Sequence, residues 1–158
     1  MGNRKSLLRI SNYGRGTEQN YEKAFFCLIQ SAMTDNSARS LYLLGDMYLN
    51  GYYVDKDIPE TIDLHFHALE VADAVDSSSE TKAEIYERLG KVYLLRPKTL
   101  ETLHIALKTF NLAENYYLEV MQECMFSLKD KVKEIRNLQM EVKEYLDDLI
   151  LISKEPVS

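Results

Sequence analysis

The chain repeats itself, and no other feature limits its fold as tightly. Aligning Gly14 with Gly51 superposes residues 12–32 on 49–69 at an offset of 37, placing Asn20 on Asp57 and Ala24 on Thr61. Aligning Gly45 with Gly90 superposes 37–51 on 82–96 at an offset of 45, placing Ala38 on Ala83, Leu44 on Leu89 and Tyr48 on Tyr93. Units this short cannot close a core alone, so they stack and bury their apolar faces against neighbours. The surplus in the second offset falls in the polar stretch 73–80, with its Ser77-Ser78-Ser79 run.

Each unit reads as two helices around a turn. In the second unit, Leu41, Leu44, Tyr48 and Leu49 follow helical spacing over 38–50. Gly51 then stops the helix, because the left-handed terminal conformation is free of strain there. Asp57 is the expected cap of the next helix, with Pro59 in its first turn and Glu60 at the capping-box position. That helix is expected to turn Ile62, Phe66, Leu69 and Ala72 inward. Thr81-Lys82-Ala83-Glu84 suggests the start of the third unit by the same capping logic. Gly45 and Gly90 sit inside helical patterns, where glycine costs ~1 kcal/mol relative to alanine. The same cost at the same repeat position points to a neighbouring helix too close for a Cβ.

From Lys98 to Glu155 there is no Gly or Pro, and apolar residues recur by threes and fours from Leu118 to Leu149, with a polar gap at Gln139. A periodic run much beyond ~25 residues implies a break, so two helices are expected, the second starting near Ser127-Leu128-Lys129-Asp130 after Phe126. The expected architecture is therefore all-α, a short α-solenoid of about three helix-turn-helix repeats with C-terminal capping helices. Its expected division is residues 1–117 for the repeats and 118–158 for a cap or oligomerisation segment.

Charge and composition exclude several functions. The net charge is −6, with two bases and nine acids in residues 31–78, so a phosphate backbone is repelled and nucleic acid is not an expected partner. No apolar run reaches the ~18 residues of a membrane span. Cys27 and Cys124 lie far apart, without a CxxC pair, in apolar helical contexts; they read as small core side chains in a reducing, cytoplasmic setting. His65 and His67 stand about 200° apart on a helix and cannot share a metal. Asp63, His67 and Glu70 do share a face, but read as a solvated polar surface. His104 is isolated, and Gly14-Arg15-Gly16 lacks the third glycine of a phosphate loop. No acid, base and electrophile assemble, so no catalytic residue, metal or cofactor is expected.

The motif residues give the chain a likeness to a known family. Ala38, Leu44, Gly45, Tyr48, Gly51, Val54, Asp57 and Ala68 resemble the Sel-one-like repeat, a relative of the tetratricopeptide repeat. The first unit is similar at Gly14, Gly16, Tyr21, Lys23, Ala24 and Ala32, and the third at Ala83, Leu89, Gly90 and Tyr93. The sequence departs at Tyr53, where the family has a second glycine, at Glu60-Thr61 in place of Lys-Ala, and at Leu95-Arg96-Pro97 in place of the glycine turn. The resemblance implies helix pairs stacked around a groove, and a non-catalytic adaptor for proteins or peptides.

If Leu41, Leu44 and Tyr48 pack inward, Arg39, Leu43, Asp46 and Asn50 are left for the groove, with Glu84, Arg88 and Lys91 as their third-unit equivalents. Tyr52 and Tyr53 add aromatic anchors in the turn, since tyrosine is enriched at interfaces. The expected partner is a protein or peptide. The alternative is a structural module that forms homo-oligomers through its C-terminal helices, or a fragment of a larger regulatory protein.

Overall fold

The computed structural model describes residues 18–75, 77–123 and 128–154. Expectations resting on Gly14, Gly16, Cys124, Phe126 and Ser127 lie outside them. Among the described residues every regular element is an α-helix, as expected: α1 Glu18–Thr34, α2 Ala38–Asn50, α3 Ile58–Ala74, α4 Ser79–Leu94, α5 Leu100–Glu123 and α6 Lys129–Lys154. No described helix is long and apolar enough to cross a membrane. The chain forms two compact units, Met1–Ser77 and Ser78–Ser158. The boundary expected at 117/118 falls inside the uninterrupted helix α5.

In the first unit α2 contacts α1 and α3. Ser37 caps α2 by accepting from the Ser40 amide at 3.2 Å. Gly51 ends the helix in the left-handed conformation at φ 69°, and the Asp57 amide closes the turn onto the Tyr48 carbonyl at 3.1 Å. Asp57 accepts from the Glu60 amide at 2.9 Å, with proline in the first turn of α3.

The buried stripe of α3 is Thr61, His65, Ala68, Val71 and Ala72; Ala72 is buried as expected, but Thr61, His65 and Ala68 replace Ile62, Phe66 and Leu69 one position along, and Phe66 is 40% exposed. The close approach of α2 selects this register. A Cβ on Gly45 would stand 2.6 Å from His65 Cδ2 and 2.7 Å from Nε2, and Thr61 Oγ1 donates to the Gly45 carbonyl at 3.2 Å. Cys27, expected in the core, is exposed, because α1 turns Tyr21, Ala24, Phe25 and Leu28 inward instead.

The second unit repeats the device. A Cβ on Gly90 would stand 2.5 Å from Phe110 Cε1, and Phe110 lies 20 residues beyond its glycine, as His65 lies beyond Gly45. The helix α4 starts at Ser79, ahead of the expected Thr81, because Ser78 caps it by accepting from the Thr81 amide. The core joins Ala83 of α4, Leu103, Ala106, Phe110, Ala113 and Tyr117 of α5, and Val132, Ile135 and Val142 of α6. The helix α6 runs back along α5. Arg136 meets Glu114 at 2.7 Å, and Gln139 donates to Asn111 at 3.0 Å and to Glu114 at 2.8 Å. The polar gap in the α6 stripe is thus a buried amide with its partners supplied, the condition for burying one at little cost.

Candidate protein-binding surface

The expected groove residues separate into buried and accessible ones. Arg39 is exposed and Asn50 half-buried, its amide donating to the Asp46 carbonyl at 2.7 Å. Leu43 and Asp46 are buried, which corrects their placement on a groove. With helices on two sides, α2 has little outer face left. The Asp46 carboxylate stands 3.4 Å from His65 Nε2, which also lies 3.3 Å from the Tyr42 carbonyl, while His65 Nδ1 has no partner. Asp63, His67 and Glu70 are exposed, and among the described residues no His, Cys, Asp and Glu group could hold a metal ion.

In α4, Glu84, Arg88 and Lys91 are half-buried. Arg88 donates to the Glu84 carbonyl at 3.2 Å. Lys91 bridges Glu87 at 2.5 Å and Glu134 of α6 at 2.8 Å, so it ties two helices together and is not the open groove residue expected. Its neighbour Glu87, missed in the sequence, is 4% exposed and accepts from Tyr117 at 2.6 Å and from Lys131 at 3.1 Å. Burial pushes the Glu87 carboxyl up, but hydrogen bonds from Lys91 and Tyr117 and the charges of Lys91 and Lys131 outweigh it, holding it below the usual range. Burial and then Glu87 push the Tyr117 hydroxyl up, so it stays a donor. This network pins α4, α5 and α6 to one another and leaves no polar group of Glu87 for a ligand.

The two turn tyrosines part company. Tyr52 is buried, its ring stacked on Tyr21 at 5.6 Å, which corrects its assignment as a contact residue. Tyr53 points the other way and is 46% exposed. Its φ is 66°, a conformation that bulky residues rarely adopt and in which glycine is at ease. Its ring lies 5.4 Å from Phe25 and 5.9 Å from Phe26, and its hydroxyl donates to Glu22 at 3.4 Å. Partial desolvation, then the Glu22 charge and hydrogen bond, raise the hydroxyl above its ordinary value and keep it protonated. Phe26 is 53% exposed, and Met33, two turns further along α1, is 81% exposed. Phe26 and Met33 were not among the expected site residues. A sequence signal existed, since Glu22, Phe26 and Met33 fall within about 40° of one another around a helix.

Compared with known protein families, the chain matches the Sel1 repeat over residues 6–35 and 38–65. The second match spans α2, the tyrosine turn and the first half of α3, ending on His65. The pair α4–α5 lies outside the matched residues but carries the same glycine-to-ring contact. Neither the comparison with curated proteins nor that with solved structures gives a match.

Proposed function

We propose that the chain, whose residues 6–35 and 38–65 match the Sel1 repeat, is a Sel1-like repeat protein acting as a non-catalytic adaptor that holds a protein or peptide partner on the Tyr53–Phe26 surface of its first unit. The observation that carries this is the backbone of Tyr53. A bulky residue at φ 66° costs of order 1–3 kcal/mol, and the family has glycine there. The ring gains only partial burial for that cost, lying half in solvent beside another half-exposed ring. A strained, half-exposed aromatic pair supports an anchor for a partner, since interface energy concentrates in a few aromatic residues. Arg39 is the expected groove residue left open to a partner's rim.

A homo-oligomer through the C-terminal helices is the weaker reading. The helix α6 spends Val132, Ile135 and Val142 on α5, which supports a capping role. The test is recovery of partners from native extract, read by mass spectrometry, with Tyr53→Gly plus Phe26→Ser compared with Met140→Ser, a 60% exposed site on α6. The proposal expects the first variant to lose a partner that the second keeps. Equal recovery by both would overturn it.

A further inference from the structure

We infer that the segment docking on the Tyr53–Phe26 surface is cationic, an arginine- or lysine-bearing peptide with an apolar side chain beside the charge. This rests on the reading of that surface as the docking site and adds the chemistry of its occupant.

Two independent features carry it. The first is the platform. Phe26 and Tyr53 are about half exposed, with centroids 5.9 Å apart and planes inclined at 62°, so the two rings form a corner. Ring faces attract a guanidinium or ammonium within about 6 Å of the centroid. The Glu22 carboxylate sits at the rim of the corner on the Tyr53 hydroxyl, and exposed Asp55 follows two residues beyond Tyr53. A cation on the rings therefore has the Glu22 carboxylate within reach, and Met33 stands exposed two turns further along α1.

The second is the field around the platform. Residues 18–75 carry ten Asp and Glu against three Lys and Arg, whereas residues 78–158 carry fourteen against twelve. The acidic excess thus lies in residues 18–75, while Arg4, Lys5, Arg9 and Arg15 precede them in the same unit; an acidic surface selects partners of opposite sign and repels acidic segments and polyanions. Among the described residues, Lys23 follows Glu22 on α1 and Lys56 follows Asp55 in the turn, both exposed. Lys56 has its stem laid over the turn, with Cγ 2.9 Å from where a Cβ on Gly51 would stand. Glu22, Asp55 and Asp57 outnumber these two locally.

The test is selection from a displayed library of random linear peptides on the full chain, followed by titration of selected peptides against the parent, Tyr53→Gly, and Glu22→Gln with Asp55→Asn. The selected pool should be enriched in Arg and Lys over Asp and Glu. Tyr53→Gly should weaken binding about tenfold or more. The double charge variant should reduce the preference for basic peptides, and added salt should do the same. A neutral or acidic pool whose binding still depends on Tyr53 would overturn the cationic partner and leave the docking surface standing. A basic pool that binds Tyr53→Gly as tightly as the parent would overturn both.

Discussion

Replacing Gly90 with alanine sets two known effects against each other. Alanine gains ~1 kcal/mol of helix propensity. Its Cβ, however, would stand 2.5, 2.7 and 2.8 Å from Cε1, Cδ1 and Cζ of Phe110. Carbon atoms rest at about 3.5–4.0 Å, so the ring must retreat by about 1 Å. Phe110 is 0% exposed and shares its core with Leu103, Ala106, Ala113 and Tyr117, so its ring is enclosed by other core side chains. Overpacking such a site costs up to ~3 kcal/mol, leaving a net loss of ~2 kcal/mol. For a unit of the size of Ser78–Ser158, that lowers the melting temperature by roughly 10 °C. Thermal unfolding followed by circular dichroism measures it, and Phe110→Leu supplies the control. With the ring gone, Gly90→Ala should cost far less, as coupled neighbours require. A Gly90→Ala variant that melts at or above the parent would show that Phe110 does not hold this site closed, as would an equal cost in both backgrounds.

Three further outcomes are expected. Glu87→Gln should cost roughly 1–2 kcal/mol at neutral pH, at the low end for a buried charged hydrogen bond because Lys91 and Lys131 are partly exposed. Because folding lowers the Glu87 pKa, its contribution is present above the ordinary carboxylate range and lost as pH falls through and below it. The variant should therefore show a flatter acid limb in urea melts taken against pH. Truncation after Glu123 removes Val132, Ile135 and Val142, each at most 5% exposed and contributing about 1.5–3 kcal/mol. Their sum rivals a whole domain's stability, so the fragment should aggregate or melt without cooperativity, and a cooperative transition in calorimetry would contradict the capping role of α6. Tyr53→Gly should change stability by no more than about 1 kcal/mol, since relief of backbone strain offsets the lost ring contacts; a larger loss in denaturant titration would make Tyr53 a structural residue.

What could be read from the sequence was local. The span of α2, its stop at Gly51, the Asp57 cap and the approach at both mid-helix glycines each depend on residues within one or two turns or on the repeat itself. The register of α3 is hidden because a histidine counts as polar in a pattern, yet its flat ring fills the space over Gly45 that Phe110 fills over Gly90. Tyr52 and Tyr53 look equivalent as neighbours, but the left-handed turn sends one ring inward onto Tyr21 and the other outward beside Phe26. Glu87 carries no signal of its own in the sequence. Its partners Lys131 and Tyr117 come from α6 and α5, and only the return of α6 along α5 brings them together. Leu43 and Asp46 failed as groove residues for a related reason. A helical wheel shows which side is polar, not how many neighbours the helix has.

A partner resting on the strained tyrosine turn can be trapped there by site-specific photo-crosslinking. A benzophenone side chain replaces Phe26 in one version of the chain and Met140 in another, both being more than half exposed. Each is irradiated with the partner recovered by the parent. A crosslink is expected from position 26 that Tyr53→Gly abolishes, and none from position 140. Crosslinking from position 140 alone, or from position 26 regardless of Tyr53, would contradict docking on this turn.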